Sequence, residues 1–494
     1  MRRSEMPGDF FAGLSGRAAT LSLTRLLNHG LILISPVILV RLLPVEEFGR
    51  YREFLLYVTV LISIAGFGIN SSLLRFVPDS TPGNAWRFVN QAVAMTFTSS
   101  VLITGATVLL NTLFDGRLVG DFAIPVALYV LFFVNLDFWE SLYLAQKRPL
   151  AVLRYTTGRL TARIIVVTGT AALTRSVDTI IVALICLEAA RLAISATFWG
   201  RRARAAPKAG QRRWREQLQH SWPFGTALVL TTVNKSLGSL FVAKILGPVA
   251  LAHYMIGTYL QPVIGIIRNS LSDVVLPEMV SRNRDAKNDR LELWRRTTVV
   301  TAILLVAAGV LLARFADTII VTLFSEDYRP AVPIFQLYVL VFLRDALDFG
   351  IPLRAINQTA SIMHSSLVAI VMNCVFMFAL TSTWGAVGAV VALVLSRFIE
   401  GAYLARRTAR AYAVSMRRVA PWSDLVKVLF AALLSAGILL GDFWTERFGF
   451  FGVVLAGAAY MIVFVLALAA LRIPEASVLL HKLRSAPSVV LRRH

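Results

Sequence analysis

The sequence predicts an all-α polytopic membrane protein with about 14 transmembrane helices. Of the 494 residues, 57% are hydrophobic and only 16% are charged, and the apolar residues lie in stretches long enough to span a bilayer. Ordinary globular domains carry about 25% charged residues, so a soluble protein is excluded. The formal charge of +22 lies in short strips between the apolar stretches. This distribution indicates membrane topology rather than nucleic-acid binding.

Each predicted span contains about 20 mainly apolar residues, the length that crosses roughly 30 Å of hydrocarbon. In chain order the spans cover residues 19–43, 53–75, 90–114, 122–144, 158–174, 178–199, 222–246, 253–276, 298–323, 332–353, 363–382, 386–405, 425–441 and 448–471. The pattern leaves the bounds of the fifth and thirteenth spans open.

The positions of Lys and Arg predict the orientation, because basic residues near short loops resist translocation. Basic connections follow spans 4, 6, 8 and 12. They contain Lys147, Arg148, Arg154, Arg159 and Arg163; Arg201, Arg202, Arg204, Lys208, Arg212, Arg213 and Arg215; Arg282, Arg284, Lys287, Arg290, Arg295 and Arg296; and Arg406, Arg407, Arg410, Arg417 and Arg418. We therefore expect these connections and both termini to lie in the cytoplasm.

A weak internal repeat predicts two halves. RLLPVEEFGRY at 41–51, after the first span, resembles KILGPVALAHY at 244–254, after the seventh. The repeat predicts two pseudo-symmetric lobes of six helices each. These are an N-lobe at 1–199 and a C-lobe at 222–418, joined by a basic cytoplasmic connector at 200–221. Residues 419–494 would add a helical hairpin and a basic cytoplasmic tail.

Four short motifs carry a family resemblance. They are RLLPVEEFGRY at 41–51, RFVPD at 75–79, KILGPVALAHY at 244–254 and VVLPEM at 274–279. Together with the layout of six, six and two spans, they resemble Wzx-type polysaccharide-unit flippases. These transporters belong to the multidrug/oligosaccharidyl-lipid/polysaccharide exporter superfamily. The chain departs from the usual pattern at Pro44-Val45, where the family has a Gly-Pro pair.

The resemblance implies a transporter of the bacterial inner membrane rather than an enzyme. Its substrate would be an undecaprenyl-pyrophosphate-linked oligosaccharide, flipped to the outer leaflet by alternating access. The product would serve the biosynthesis of O-antigen, capsule or exopolysaccharide. Membrane lipids, a polysaccharide polymerase and glycosyltransferases are the partners this role implies. A lipid II-type or multidrug exporter of the same superfamily stays open as the alternative.

Ionisable residues inside spans are costly, by about 2.5–3.5 kcal/mol on insertion scales, and mark candidate sites. Four pairs of opposite charge stand at helical spacing and can neutralise each other on one helix face. They are Glu188/Arg191, Arg314/Asp317, Arg397/Glu400 and Arg344/Asp348. We interpret such pairs mainly as structural, and we keep Arg344 and Asp348 as candidate coupling or gating residues.

Three cations in spans have no acid at helical spacing: Arg25, Lys235 and Arg268. His29 follows Arg25 by one helical turn and so shares its face, although a buried histidine bonded to a neighbouring helix is an equal alternative. Arg matches phosphate geometry and Lys acts as a point charge. We therefore predict that these four residues bind the pyrophosphate of the substrate.

Asp137 and Glu140 stand at i,i+3 in span 4 without a base at helical spacing. They can form salt bridges to Arg25 or Arg268 in the empty transporter, or they can take up a proton or Na⁺. They are therefore candidate coupling or gating residues. The two cysteines, Cys186 and Cys374, lie in apolar stretches, so we expect no disulfide, metal site or cofactor. The short outer loops also lack a catalytic motif.

Overall fold

The computed structural model describes residues 27–28, 30–78, 80, 82–204, 214–281, 287–440 and 443–473. Within these ranges the chain forms α-helices and short 3₁₀ turns, and it contains no β-strand. The all-α prediction is confirmed. Internal contacts divide the chain into two units, Met1–Ala243 and Lys244–His494. The division falls inside one long helix. Residues 205–213 of the predicted connector lie outside the described residues.

The first unit is a helical bundle with two short 3₁₀ turns, Ile69–Ser72 and Gly120–Phe122. Its helices are α1 (Gly30–Leu42), α2 (Val45–Gly66), α3 (Leu73–Phe76), α4 (Pro82–Leu113), α5 (Ala123–Val134), α6 (Phe138–Ala145), α7 (Pro149–Thr174), α8 (Val177–Arg204) and α9 (Trp214–Gly257). Helix α9 continues past the division into the second unit.

The second unit is also helical, with 3₁₀ turns at Glu326–Ala331 and Ala436–Leu439. Its helices after α9 are α10 (Gln261–Ser281), α11 (Lys287–Arg314), α12 (Ala316–Leu323), α13 (Val332–Tyr338), α14 (Leu340–Ala346), α15 (Gly350–Ala355), α16 (Thr359–Ala411), α17 (Met416–Val419), α18 (Trp422–Ser435) and α19 (Phe443–Ala470).

Eight described helices are long and apolar enough to cross a membrane, or nine if the bent pair Val45–Gly66 and Ile69–Phe76 is one span. Two of them are far longer than one crossing needs. α9 has 44 residues and α16 has 53, or about 66 and 80 Å at ~1.5 Å per residue. Each contains a glycine with positive φ, Gly247 (82°) and Gly385 (60°). Glycine adopts this backbone without strain, so each long helix changes direction there.

Interruptions of the helices follow the same order along the chain in both units. Pro44 precedes α2, and the matching repeat segment has Gly247 and Pro248 at the break in α9. Later in each unit one apolar stretch is broken, α5–α6 in the first and α13–α15 in the second. A residue with positive φ follows each, Lys147 and Asn357. The repeat seen in sequence at 41–51 and 244–254 thus extends to shared backbone conformations.

The predicted fifth span starts too late. Helix α7 begins at Pro149 rather than at residue 158, and it continues to Thr174. Proline suits the first turn of a helix because its missing N–H has no partner there anyway. Arg159 and Arg163, which we counted with the basic connection although the predicted span 158–174 includes them, lie well inside this helix. Their location matters for the site described next.

Candidate functional site

A break in the apolar helix of the first unit lies at the centre of its polar residues. α5 ends at Val134 and α6 begins at Phe138. Asn and Asp side chains compete with the backbone for hydrogen bonds, which favours a break at Asn135–Asp137. Asn135 Nδ2 donates to Ser100 Oγ (3.1 Å) and to the Leu131 carbonyl (2.7 Å). The backbone is therefore held by specific partners at this point.

Tyr155 and Arg159, one turn apart on α7, contact this break. The Tyr155 hydroxyl donates to the carbonyl of Leu136 at 3.0 Å. Arg159 Nη1 lies 3.6 Å from Asp137 Oδ1, and Nη2 lies 3.6 Å from Glu140 Oε2. The guanidinium also stacks over the rings of Phe133 and Tyr155, at 5.4 and 5.9 Å. One arginine thus bridges the two candidate coupling acids.

A second ion pair continues this network on α8. Glu188, whose side chain is 1% exposed, pairs with Arg191. Arg191 Nη2 also donates to Tyr155 Oη at 3.1 Å. Arg163 donates a hydrogen bond to the Tyr51 hydroxyl, and its charge also interacts with that of Glu188. We call this set the N cluster: Asp137, Glu140, Arg159, Arg163, Glu188 and Arg191. It holds three arginines and three carboxylates, so its charges balance.

The second unit holds a comparable network. Arg344, on α14, is 5% exposed; its guanidinium lies 3.7 Å from Asp345 Oδ1 and 3.5 Å from Glu400 Oε2. Arg397 lies 3.2 Å from Glu400. Arg268, on α10, lies 3.7 Å from Asp345. We call this set the C cluster: Arg268, Arg344, Asp345, Arg397 and Glu400. It holds three arginines and two carboxylates, so one positive charge exceeds the acids.

The predicted pairing of Arg344 with Asp348 is wrong. Helix α14 ends at Ala346, so the two residues do not share a helix face. Asp348 Oδ1 accepts a hydrogen bond from the backbone N–H of Gly350 (2.9 Å), and Oδ2 lies 3.7 Å from Arg354. Asp348 therefore stabilises the start of α15.

Other predicted pairings have mixed outcomes. The pairs Glu188/Arg191 and Arg397/Glu400 are confirmed. For the predicted pair Arg314/Asp317, the structure gives Asp317 another partner. Its carboxylate lies 2.9 Å from Arg329, which belongs to the 3₁₀ turn at Glu326–Ala331.

For Asp137 and Glu140 we gave salt bridges to Arg25 or Arg268 in the empty transporter as one of two alternatives, and the structure gives them a different partner. Arg159 on the next helix, α7, bridges them, whereas Arg268 pairs with Asp345 inside the second unit. Arg25 and His29 lie outside the described residues. The roles predicted for these residues stay predictions.

Lys235 lies on the membrane-length helix α9, in an apolar sequence. Its side chain is exposed. In the parts of the chain that the structure describes, no hydrogen bond or ion pair involves its ammonium group. An unpaired ammonium group inside a membrane span is costly. Lys235 therefore differs from the arginines of both clusters, each of which faces a carboxylate.

Sequence reasoning missed Arg159, Arg163 and Asp345. The signal was present for the first two, because Tyr155, Arg159 and Arg163 follow each other at four-residue spacing and form one helix face. Counting Arg159 and Arg163 with span 5, whose predicted bounds 158–174 include both, would have revealed it. Among the described residues, no three His, Cys, Asp or Glu side chains gather as a metal-binding group.

Solved structures of membrane transporters share this fold. The lipid II flippase MurJ, in an inward closed conformation, is similar with a TM-score of 0.68 and 14% identity, over 92% of this chain and 99% of MurJ. An inward-facing multidrug resistance MATE family transporter of the MOP superfamily is similar with a TM-score of 0.51 and 12% identity, over 78% of this chain and 94% of that one. At these identities the likeness shows the fold alone.

Sequence comparison then shows the family. The family model described as "Polysaccharide biosynthesis protein" matches residues 38–333, and the chain belongs to this family. The capsular polysaccharide biosynthesis protein CapF of Staphylococcus aureus is 22% identical over 180 residues, or 36% of this chain and 46% of CapF. The chain thus spans less than half the length of this curated relative. The predicted resemblance to polysaccharide flippases of the MOP superfamily is confirmed.

Proposed function

We propose that the protein flips an undecaprenyl-pyrophosphate-linked oligosaccharide from the cytoplasmic to the outer leaflet of the bacterial inner membrane by alternating access. It would act without enzymatic chemistry or a cofactor, in the biosynthesis of O-antigen, capsule or exopolysaccharide. Membership of the polysaccharide biosynthesis family supports this role. The fold likeness to a lipid II flippase supports movement of a lipid-linked anion.

In this proposal the chain crosses the membrane fourteen times with both termini in the cytoplasm. The lengths of α9 and α16, each with a break at a glycine, support two crossings per helix. The starts of α7 and α11 carry basic residues, as cytoplasmic ends do.

The observation that carries the proposed function is the unpaired, exposed Lys235 on an apolar helix. The C cluster adds a second positive excess, with Arg268 among its members. Cations held at membrane depth favour an anionic ligand, and guanidinium and ammonium groups both bind phosphate. A lipid pyrophosphate matches this chemistry. Arg25 and His29 would complete the substrate site in this proposal.

A multidrug exporter of the same superfamily is the alternative. A site for cationic drugs needs unpaired acids, and the two candidates, Asp137 and Glu140, face Arg159. Because both acids are already paired, they are poorly placed to bind a cationic drug. This argues against the multidrug alternative and so favours an anionic substrate. A lipid II-type substrate shares the pyrophosphate and differs only in its sugars and peptide.

Asp137 and Glu140 are also our candidates for coupling. Taking up a proton or Na⁺ would release Arg159, and the break between α5 and α6 gives the backbone a place to move. Arg344 would act as a gate through Asp345 and Glu400. Asp348 would act through its contacts with α15. In this proposal, a polysaccharide polymerase and glycosyltransferases are the partners of the whole protein in the membrane.

The experiment is export of surface polysaccharide in cells that depend on this protein. We expect Lys235→Ala to abolish export and Lys235→Arg to retain part of it, because only the arginine keeps a positive charge. Arg25→Ala tests the second predicted cation in the same way. Arg154→Ala is the control, since Arg154 is exposed on α7 and belongs to neither cluster.

All variants are compared at matched amounts in the membrane. Full export by both Lys235→Ala and Arg25→Ala would contradict the anionic-substrate proposal. Loss of export by Arg154→Ala as well would show a general effect of lost charge, which also counts against it.

A further inference from the structure

A cavity lies away from both clusters, in the second unit. It has a volume of about 260 Å³ and forms where the start of α11 meets the segment that leads from α17 into α18. Its charged lining residues are Glu292, Arg295, Arg296, Arg418 and Asp424. We call it the hairpin cavity, because α18 begins the hairpin of α18 and α19.

The hairpin cavity has more positive than negative charge. Glu292 is shared by Arg295 (3.4 Å) and Arg296 (3.3 Å). Asp424 is already paired with Lys427 at 3.2 Å. The guanidinium of Arg418 is exposed and has no ion-pair or hydrogen-bond partner among the residues described. The carboxylates therefore leave positive charge unmatched, and an anion is the complementary ligand.

The location of the cavity indicates the source of that anion. α11 and α18 are both candidate membrane spans, and the cavity lies at the start of each. Trp422 begins α18, and its ring is 38% exposed while its Nε1 donates to the Met416 carbonyl at 2.9 Å. Tryptophan is enriched at the depth of lipid head groups. The start of α18 therefore carries the residue type expected at head-group depth, which favours a lipid head group over a water-soluble anion as the ligand.

We propose that Arg295, Arg296 and Arg418 bind the phosphodiester of an anionic phospholipid. The assignment to the cytoplasmic leaflet rests on the topology given under the proposed function, but the binding site does not. Basic pockets between spans are known to hold anionic head groups on that side. Sites for drug-sized ligands have about 300–1,000 Å³, so about 260 Å³ suits a phosphate with its glycerol rather than an oligosaccharide.

A bound phosphate at this place would tie the first turn of α18 to α11. Arg295 and Arg296 come from α11, and Arg418 comes from the segment just before α18. An anion between them would replace repulsion between like charges with shared hydrogen bonds. The lipid would thus fasten the C-terminal hairpin to α11 and so to the rest of the second unit.

The test is a binding measurement on the purified full chain in detergent, titrated with short-chain phosphatidylglycerol. Phosphatidylcholine, glycerol phosphate and inorganic phosphate are titrated in parallel. Arg418→Gln is the sharpest single variant because Arg418 has no described partner, so no acid loses its partner. We expect about fivefold weaker binding of phosphatidylglycerol, which corresponds to ~1 kcal/mol per basic residue near a membrane surface. A triple change to Gln at 295, 296 and 418 should weaken binding by more than tenfold.

The matched control is a triple change to Gln at Arg406, Arg410 and Arg417, which are exposed and do not line the cavity. This control should bind phosphatidylglycerol as the unchanged protein does. Equal loss in both triple variants would overturn the site and leave only a general effect of positive charge. Equal affinity for phosphatidylglycerol and glycerol phosphate would overturn the lipid as occupant. Because binding is measured without transport, failure of the flippase proposal would leave these results unchanged.

Discussion

Arg159 lies within ion-pair distance of two acids, Asp137 and Glu140, on the neighbouring candidate span. The contribution of these ion pairs to the free energy of unfolding can be measured. Arg159→Met keeps most of the length of the side chain and removes the charge, which leaves Asp137 and Glu140 without their 3.6 Å partner. Breaking a buried ion pair costs about 3–5 kcal/mol. Asp137 is 48% exposed and Glu140 33%, so solvent screening reduces the effect. We expect a loss of about 2 kcal/mol.

Removing the negative charges of the two acids should restore part of the lost stability. Asp137→Asn with Glu140→Gln, introduced beside Arg159→Met, removes the charges that the first change left unpaired. We expect the triple variant to recover about 1–2 kcal/mol relative to Arg159→Met alone, a coupling that a mutant cycle isolates. The measurement is reversible unfolding of the purified protein in detergent, followed by circular dichroism. Arg154→Met, on the exposed face of α7, should stay within about 0.5 kcal/mol of the unchanged protein.

Two results would refute this reasoning. If Arg159→Met unfolds at the same denaturant concentration as the unchanged protein, the ion pairs make no net contribution. If the triple variant is no more stable than Arg159→Met, the loss comes from packing against Phe133 and Tyr155 and not from unpaired acids.

Two further predictions concern topology and packing. A cysteine introduced at Lys208, in the predicted connector, should react with an impermeant thiol reagent only after the cells are opened, because its surroundings are basic; labelling of intact cells would overturn the fourteen-span orientation. Burial raises the pKa of Tyr412 to about 12, so its hydroxyl keeps its proton at neutral pH and donates to the Pro352 carbonyl at 3.0 Å. Tyr412→Phe should lower the free energy of unfolding by about 1 kcal/mol, and an unchanged thermal midpoint would count against this hydrogen bond.

The fold class was predictable because long apolar stretches leave few alternatives in a membrane. Breaks inside those stretches were not predicted. Residues 122–144 form one continuous apolar window, and averaging over it hides Asn135–Asp137, where α5 ends before α6 begins. The same applies to α13–α15, whose breaks lie inside the predicted tenth span. A hydropathy window predicts the position and length of a span, but it does not reveal an interruption of the helix within that span.

The candidate site was predictable only within single helices. Glu188/Arg191 and Arg397/Glu400 follow from spacing on one helix face, and both pairs form. The contacts of Arg159 with Asp137 and of Arg268 with Asp345 join different helices. Such contacts depend on how the helices pack, which one sequence does not reveal. Arg159 was also missed because we counted it with the basic residues of a connection, although it lies within the predicted fifth span.

The charges of the two clusters bear on the driving force for flipping. The N cluster is balanced, whereas the C cluster has one cation more than its acids, and Lys235 has no described partner. An empty transporter with excess positive charge is drawn toward the negative cytoplasm, by about 2.3 kcal/mol per charge per 100 mV for a full crossing. In the proposed mechanism, the pyrophosphate of a bound substrate would cancel much of this charge. The membrane potential should therefore act mainly on the return of the empty transporter.

Collapse of the membrane potential in reconstituted vesicles tests whether the empty transporter returns with excess positive charge. Flipping should slow in the unchanged protein. Asp137→Asn with Glu140→Gln removes two negative charges and leaves Arg159 uncompensated, so the returning transporter carries more positive charge. We expect this variant to depend more strongly on the potential, provided that its folding is verified. If neither form responds to the potential, the return step does not carry net charge through the field. Flipping would then be driven by an ion gradient or by consumption of the lipid in the outer leaflet.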